Sequence, residues 1–330
     1  MPTGRRRRQD PRIAAGRCEA RIAVRAQAAG RRQPNGAPFL ATFALTLVLL
    51  SAVIHASWNI MARSSHSETS FIRQMLPMVA AVGFVPAAVG QWLTHSMSTM
   101  TWAYVASSGS CCAFYFYSLG KAYENSDFTT VYPMARSLPV LLIAIGDALQ
   151  GATPSPVGWL GMACVVIGCM MAPLRSREDV ALKHYINRGS LWILLTALGT
   201  VGYSLLDKRA SGLLPPGPAS AAIYCYYFYF FTFVAYGLLA ELPRPRAENQ
   251  AGSSFWMASL AGGMSAAAYF LVLWSFQLVA QASYVVAFRQ ASLIIAVLMA
   301  FALYREERHL VRLAAVLVIT AGLVLIKVFG

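Results

Sequence analysis

Charge is what this sequence has least of. Asp, Glu, Lys and Arg make up 12% of its 330 residues, against 57% hydrophobic residues and a mean hydropathy of +0.53. A soluble domain carries about a quarter charged residues, so this chain has too little polar surface to cover itself in water, and lipid is the solvent it fits. Catalytic signatures are lacking too: there is no glycine-rich phosphate loop, no HExxH, no GxSxG and no CxxC pair. These absences argue against ATP hydrolysis, a metal centre or an enzyme, and no cofactor is implied. The six cysteines (18, 111, 112, 164, 169 and 225) have no metal-ligand spacing. Five lie in apolar runs, where a thiol serves as a small packing residue.

The charge that is present is lopsided. Formal net charge is +14, and residues 1–37 hold ten Arg against Asp10 and Glu19. Rich in Arg, Ala and Gly and without apolar periodicity, this stretch reads as a disordered basic tail, or as sequence ahead of a later start. It would attract anionic headgroups rather than nucleic acid, since nothing folded follows it outside the bilayer. A signal peptide is not expected, because the apolar run begins far downstream and no small-residue cleavage site ends it.

From Pro38 onward ten apolar segments follow, at 39–61, 72–93, 102–120, 128–149, 157–173, 190–206, 219–240, 255–278, 282–303 and 310–328. Each is read as long enough to cross about 30 Å of hydrocarbon, and each must be helical, since unpaired backbone groups in lipid cost too much for loops or open strands. A charged linker at 174–189 separates five segments at 38–173 from five at 190–330. Five is odd, so two copies of such a unit enter the membrane from opposite sides. The expected fold is an all-α polytopic membrane protein with ten transmembrane helices in two inverted five-helix repeats.

Internal similarity supports that reading. At an offset of 153, Arg136 falls on Arg289, each inside a long apolar run, and one residue of slippage then sets Gly168 on Gly322. In the first segment of each half, Trp58 and Arg63 fall where the other has Tyr203 and Lys208.

The arginines are the leading candidates for function, because an intramembrane charge is costly and its repetition is hard to assign to chance. Tyr132 lies one turn before Arg136, and Pro133 and Pro139 bracket it. The two prolines would bend the helix and leave carbonyls free near the guanidinium. Either the pair presents fork-shaped donors to an anionic group, or each arginine ties helices together through carbonyls or a carboxylate. His55, Trp58 and Asn59 share one helix face and either line a cavity or hold helices together. Asp207 with Lys208 reads as a local pair at the membrane edge or as a charge relay. Asp147, ending the fourth segment, meets headgroups or carries a proton. Glu306 and Glu307, among Arg305, Arg308 and Arg312, belong to a solvated loop. The aromatic run Tyr224 to Phe233 faces lipid and headgroups, or else forms a substrate cage.

Basic residues leave orientation open. The tail's ten Arg with Lys208, Arg209 and Lys327 make thirteen on one side, against twelve on the other.

HASWN at His55, VYPMARSLP from Val131, PVGWLG from Pro156, DK at Asp207 and the closing stretch from Tyr284 resemble the EamA-type drug/metabolite transporters. The resemblance runs from residue 40 to the end. It implies ten helices in two inverted repeats, a plasma (inner) membrane location, both termini in the cytoplasm and a central cavity for a small metabolite. Related sugar-phosphate translocators bind phosphate through basic residues of the fourth and ninth helices, a role that would fall to Arg136 and Arg289. Where the family often has Gly-Glu after the fourth helix, this chain has Gly151-Ala152, which puts any paired-glutamate role in doubt.

The function expected is secondary transport, by alternating access, of a small organic molecule bearing an anionic group. The substrate pathway would comprise Arg136, Arg289, Tyr132, His55, Trp58, Asn59 and Tyr203, with Asp147 and Asp207 as proton or charge relays. The expected partners are that small molecule and the lipid bilayer, with a homodimer left open and nucleic acid not expected. The rival readings are a flippase for a lipid-linked sugar or similar amphiphile and, more remotely, a membrane-embedded enzyme or scaffold.

Overall fold

Each of the ten apolar segments is helical, and two of them are split. In the computed structural model the helices are α1 (Ala37–Arg63), α2 (Glu68–Val82), α3 (Phe84–Thr94), α4 (Thr99–Asn125), α5 (Phe128–Leu149), α6 (Pro156–Met171), α7 (Ser190–Ser211), α8 (Pro218–Glu241), α9 (Phe255–Phe276), α10 (Ala282–Arg289), α11 (Ala291–Leu303) and α12 (Leu310–Phe329). The structure describes residues 37–63, 68–125, 128–172, 174, 189–241, 255–303 and 310–330, and no strand occurs among them. The basic tail, most of the charged linker and the 304–309 loop with Glu306 and Glu307 lie outside the described residues. Phe43–Gly330 forms one unit, and of the preceding unit only the opening of α1 is described.

By length and composition α7, α8, α9 and α12 can each cross a membrane, and α2 with α3, bent by 45°, make a fifth if the pair is one span. At 16 residues α6 reaches only about 24 Å. The distribution of side chains suits lipid. Large apolar groups stand outside, with Leu149 84%, Trp256 79% and Trp92 72% exposed, while Asp147, Asp207 and Gln290 are buried. That inverts the arrangement of a soluble domain.

Small residues set how closely the helices approach. A Cβ on Gly161 would lie 2.8 Å from the carbonyl oxygen of Gly322, and one on Gly322 would lie 2.5 Å from that of Gly161. Gly168 stands equally close to the backbone of Ala315, 2.9 Å from its oxygen. The two contacts are related: the offset that sets Gly168 on Gly322 sets Gly161 on Ala315. Exchanging α6 with α12 therefore turns one contact into the other, as a two-fold axis between the helices would.

The most extensive helix pairs, α4 with α7, α6 with α12 and α4 with α8, all join residues of 38–173 to residues of 190–330. The start of α6 is fixed locally. Ser155 accepts the Gly158 N–H at 2.9 Å as N-cap, and Pro156 takes the first helical position, where its missing N–H costs nothing. From the other half, the Tyr284 hydroxyl accepts the Ser155 N–H at 3.1 Å.

One sequence reading is corrected by the packing. The aromatic run of α8 does not lie chiefly against lipid: Tyr224, Tyr226, Phe228 and Tyr229 are all buried. Gly109 of α4 makes room for them, since a Cβ there would lie 2.9 Å from the Phe228 carbonyl. The hydroxyls of that face find partners inside, Tyr226 on the Ala80 carbonyl and Tyr229 on Ser265. α5 runs as one helix with Pro133 and Pro139 inside it. Its neighbour is interrupted at Gln290, between α10 and α11.

Candidate functional site

α1, α4, α5, α7, α9 and the α10–α11 joint bring donors together. Arg136 projects from α5, with Nη1 donating to Ser292 Oγ at 3.2 Å and Nη2 standing 2.7 Å from His55 Nε2. One turn on along α1, Trp58 Nε1 donates to His55 Nδ1 at 3.1 Å. Gln290 closes the gap from the broken helix, its amide donating to the backbone carbonyl of Arg136 at 3.3 Å.

Arg289 reaches the same space from the end of α10. Its guanidinium lies over the Tyr269 ring, 5.7 Å from the centroid, and also meets Tyr203. Such a contact is worth about 0.5–2 kcal/mol, more as water is excluded. Both arginines are close enough to act electrostatically on His55 and on Tyr115. Tyr203 packs edge-on against Tyr115 and Tyr269, with centroids 6.0 and 5.8 Å apart. The result is an aromatic wall with the Arg289 guanidinium against it, while Arg136 is held on Ser292 and His55.

His55 is caught between two donors. A neutral imidazole has one N–H and one acceptor nitrogen, whereas an indole N–H and a guanidinium can only donate. Whichever nitrogen carries the proton, either Trp58 or Arg136 faces hydrogen against hydrogen. An acceptor placed beside the arginine would resolve that conflict.

Of the residues read from sequence, His55, Trp58, Arg136, Arg289 and Tyr203 are brought together. Asn59 and Tyr132 lie in helical backbone, and their side chains fall outside the described residues. Asp147 meets no headgroup. It is buried, and Oδ2 accepts the Ser283 N–H at 2.8 Å, so it closes the first turn of α10, where the N-cap residue Gln281 provides no side-chain acceptor. Asp207 and Lys208 are not a local pair, because neighbours on a helix diverge by about 100°. Asp207 turns inward and accepts from the hydroxyls of Tyr224, at 2.7 Å, and Tyr269. Lys208 turns the other way, donating to the carbonyls of Phe276 and Val279 at the end of α9.

Sequence reasoning missed Tyr115, Tyr269, Gln290 and Ser292. A signal for the tyrosines was there: the offset pairing Gly168 with Gly322 also pairs Tyr115 with Tyr269. Each arginine therefore has a tyrosine from the preceding long helix beside it or in its field. No signal marked Gln290 or Ser292 beyond their closeness to Arg289.

No family model matches the sequence, and no curated protein matches it either. The fold does have a counterpart among solved structures. One described as "Crystal structure of protein" aligns with a TM-score of 0.63 over 86% of this chain and 96% of its own, at 16% identity. At that identity the likeness is one of fold alone.

Proposed function

We propose that this protein is a secondary transporter, moving a small organic molecule with an anionic group across a membrane by alternating access. The observation that carries this is the convergence of Arg136, Arg289, Trp58, Tyr203 and Ser292 around His55, a set dominated by hydrogen-bond donors. Two guanidinium groups offer planar, always charged forks suited to carboxylate or phosphate. The anion accepts from the arginines and relieves the donor conflict at His55. In this reading the ten helical units are spans, arranged as two inverted five-helix repeats. The exchangeable contacts of α6 with α12 support that arrangement, and so does the repeat of the arginines near the junction of the halves. Gln290 and the bend at Gly83 are the joints at which the halves rock. The resemblance to EamA-type transporters agrees with this assignment.

The test is counterflow in proteoliposomes with labelled anionic, neutral and cationic metabolites, wild type beside Arg136→Gln. Saturable exchange of an anion, cut at least tenfold in the variant while neutral compounds are unaffected, is the expected result. Equal loss for charged and neutral compounds would reduce the arginine to a tie between helices.

One observation favours the flippase as a second reading. An apolar cavity of about 350 Å³ lies between α2, α8 and α9, lined by Met78, Val82, Gly83, Tyr226 and Phe270 among others. Its wall includes Val82, 73% exposed on the apolar exterior, so a lipid chain has a way in. Exchange of a lipid-linked anion with no exchange of water-soluble ones would move that reading forward.

A further inference from the structure

Asp207 takes no part in the donor cluster, yet it is joined to it. Its carboxylate is wholly buried near the end of α7, and its hydrogen-bond partners are hydroxyls, Tyr224 on Oδ1 and Tyr269 on Oδ2, with Ser108 close by and donating to the Tyr203 carbonyl at 3.4 Å. The groups around it come from every helix packed on α7. From α4 there are Ser108, Cys111 and Cys112; from α8, Tyr224 and Cys225; and from α9, Tyr269. On α7 itself Tyr203 lies one turn back, and Lys208 points to the α9 carbonyls. From α5, Asp147 acts on Lys208, and Arg136 acts on Tyr115. From α10, Arg289 lies across the Tyr269 ring. Tyr269 thus has the cation of the donor cluster on its face and the carboxylate on its hydroxyl.

This placement couples two charges. A buried carboxylate is costly even with hydroxyl donors, and a guanidinium one ring away lowers that cost. When an anion sits on Arg289, its positive field is cancelled and the negative charge at Asp207 loses that support. The carboxylate then takes up a proton, becoming a carboxylic acid with one O–H donor, so one tyrosine hydroxyl no longer has to donate to it. Linkage is reciprocal: if the anion favours the proton, the proton favours the anion to the same degree.

Resting on the transporter reading above, we propose that Asp207 is the proton-binding site of an anion–proton symporter, coupled to the substrate site through Tyr269 and Arg289. A monoanion and one proton then cross together without net charge.

The experiment uses the full chain in liposomes loaded with a pH-sensitive dye, with radiolabelled pyruvate and inorganic phosphate as probe anions. For the wild type, an inward proton gradient should raise initial uptake at least about threefold, with proton influx appearing only when the anion is present. Asp207→Asn should keep counterflow within about twofold while losing both gradient-driven accumulation and proton influx. Tyr269→Phe keeps the ring and the carboxylate but removes one donor to the charged form. It should move the midpoint of the pH dependence of uptake upward by about one unit.

Counterflow that ignores the gradient in the wild type would overturn the symport proposal while leaving the carrier intact. Gradient-driven uptake that survives in Asp207→Asn would remove Asp207 from the role. An unmoved midpoint in Tyr269→Phe would do the same, even if the first variant does not fold. Exchange of neither probe in the wild type would overturn the anion reading, and this proposal with it.

Discussion

Trp58 is the residue whose replacement tells most about the donor conflict. Trp58→Phe removes the indole N–H and keeps an aromatic ring on α1. His55 can then carry its proton on Nδ1 and accept from Arg136 on Nε2, so the bond lost with the indole is replaced by one from the guanidinium and the contact of hydrogen against hydrogen disappears. One such bond is worth about 1 kcal/mol. With one such bond lost and one made, the empty variant is expected to be about as heat-stable as wild type, measured by intrinsic fluorescence in detergent. Its affinity for an anion should fall about fivefold, because relief of the conflict no longer contributes to binding. A variant less stable than wild type, with anion affinity unchanged, would mean Trp58 serves packing alone. The arginines and His55 were legible at this scale because charge and imidazole stand out in an apolar run. Tyr269 was not, since one tyrosine among many gives no sign of what its ring or hydroxyl will meet.

Among the helices, α10 depends most on another element. It has eight residues, ends on Arg289, and has no side-chain cap of its own. Asp147, from the far end of α5, accepts the Ser283 N–H in its first turn, and a carboxylate there also suits the positive end of the helix. Asp147→Ala should cost about 1–2 kcal/mol in thermal unfolding and weaken anion binding, because Arg289 rides on the helix that loosens. Asp147→Asn keeps an oxygen acceptor and should lose less than half as much. Equal stability in all three proteins would show that the cap contributes nothing. The sequence marked Asp147 only as a carboxylate at the end of a span, since a cap that bridges two distant helices leaves no local pattern. The helices themselves were readable to within about five residues at each end, because apolar length dictates them, and the polar ends of α4 and α7 ran past the apolar runs. The break at Gln290 was not, as no Pro or Gly announces it, while prolines drew attention to α5, which continues through them.

At the scale of the whole molecule, the α6–α12 crossing is the closest approach of a glycine to another helix's backbone among the described residues. Gly322→Ala would bring a methyl group onto the Gly161 carbonyl, which is backbone and cannot swing aside, so a loss of about 1–3 kcal/mol is expected. Gly237→Ala in α8 meets nothing within 4 Å and should be neutral or slightly stabilising, as alanine favours helix. Thermal unfolding of the two variants side by side makes the comparison, and equal midpoints would mean the helices part readily.

That crossing also limits how the two halves can drift apart in sequence. At exposed positions of α6 and α12, such as Leu160, Ile167, Leu317 and Val324, a new side chain stands on the exterior, so each half can change alone. At Gly161 and Gly322 neither can, because any atom added on one strikes the main chain of the other. The halves are thus free to become strangers in chemistry, in loop length and in the residues around their two arginines. Where their backbones touch, each remains answerable to the other.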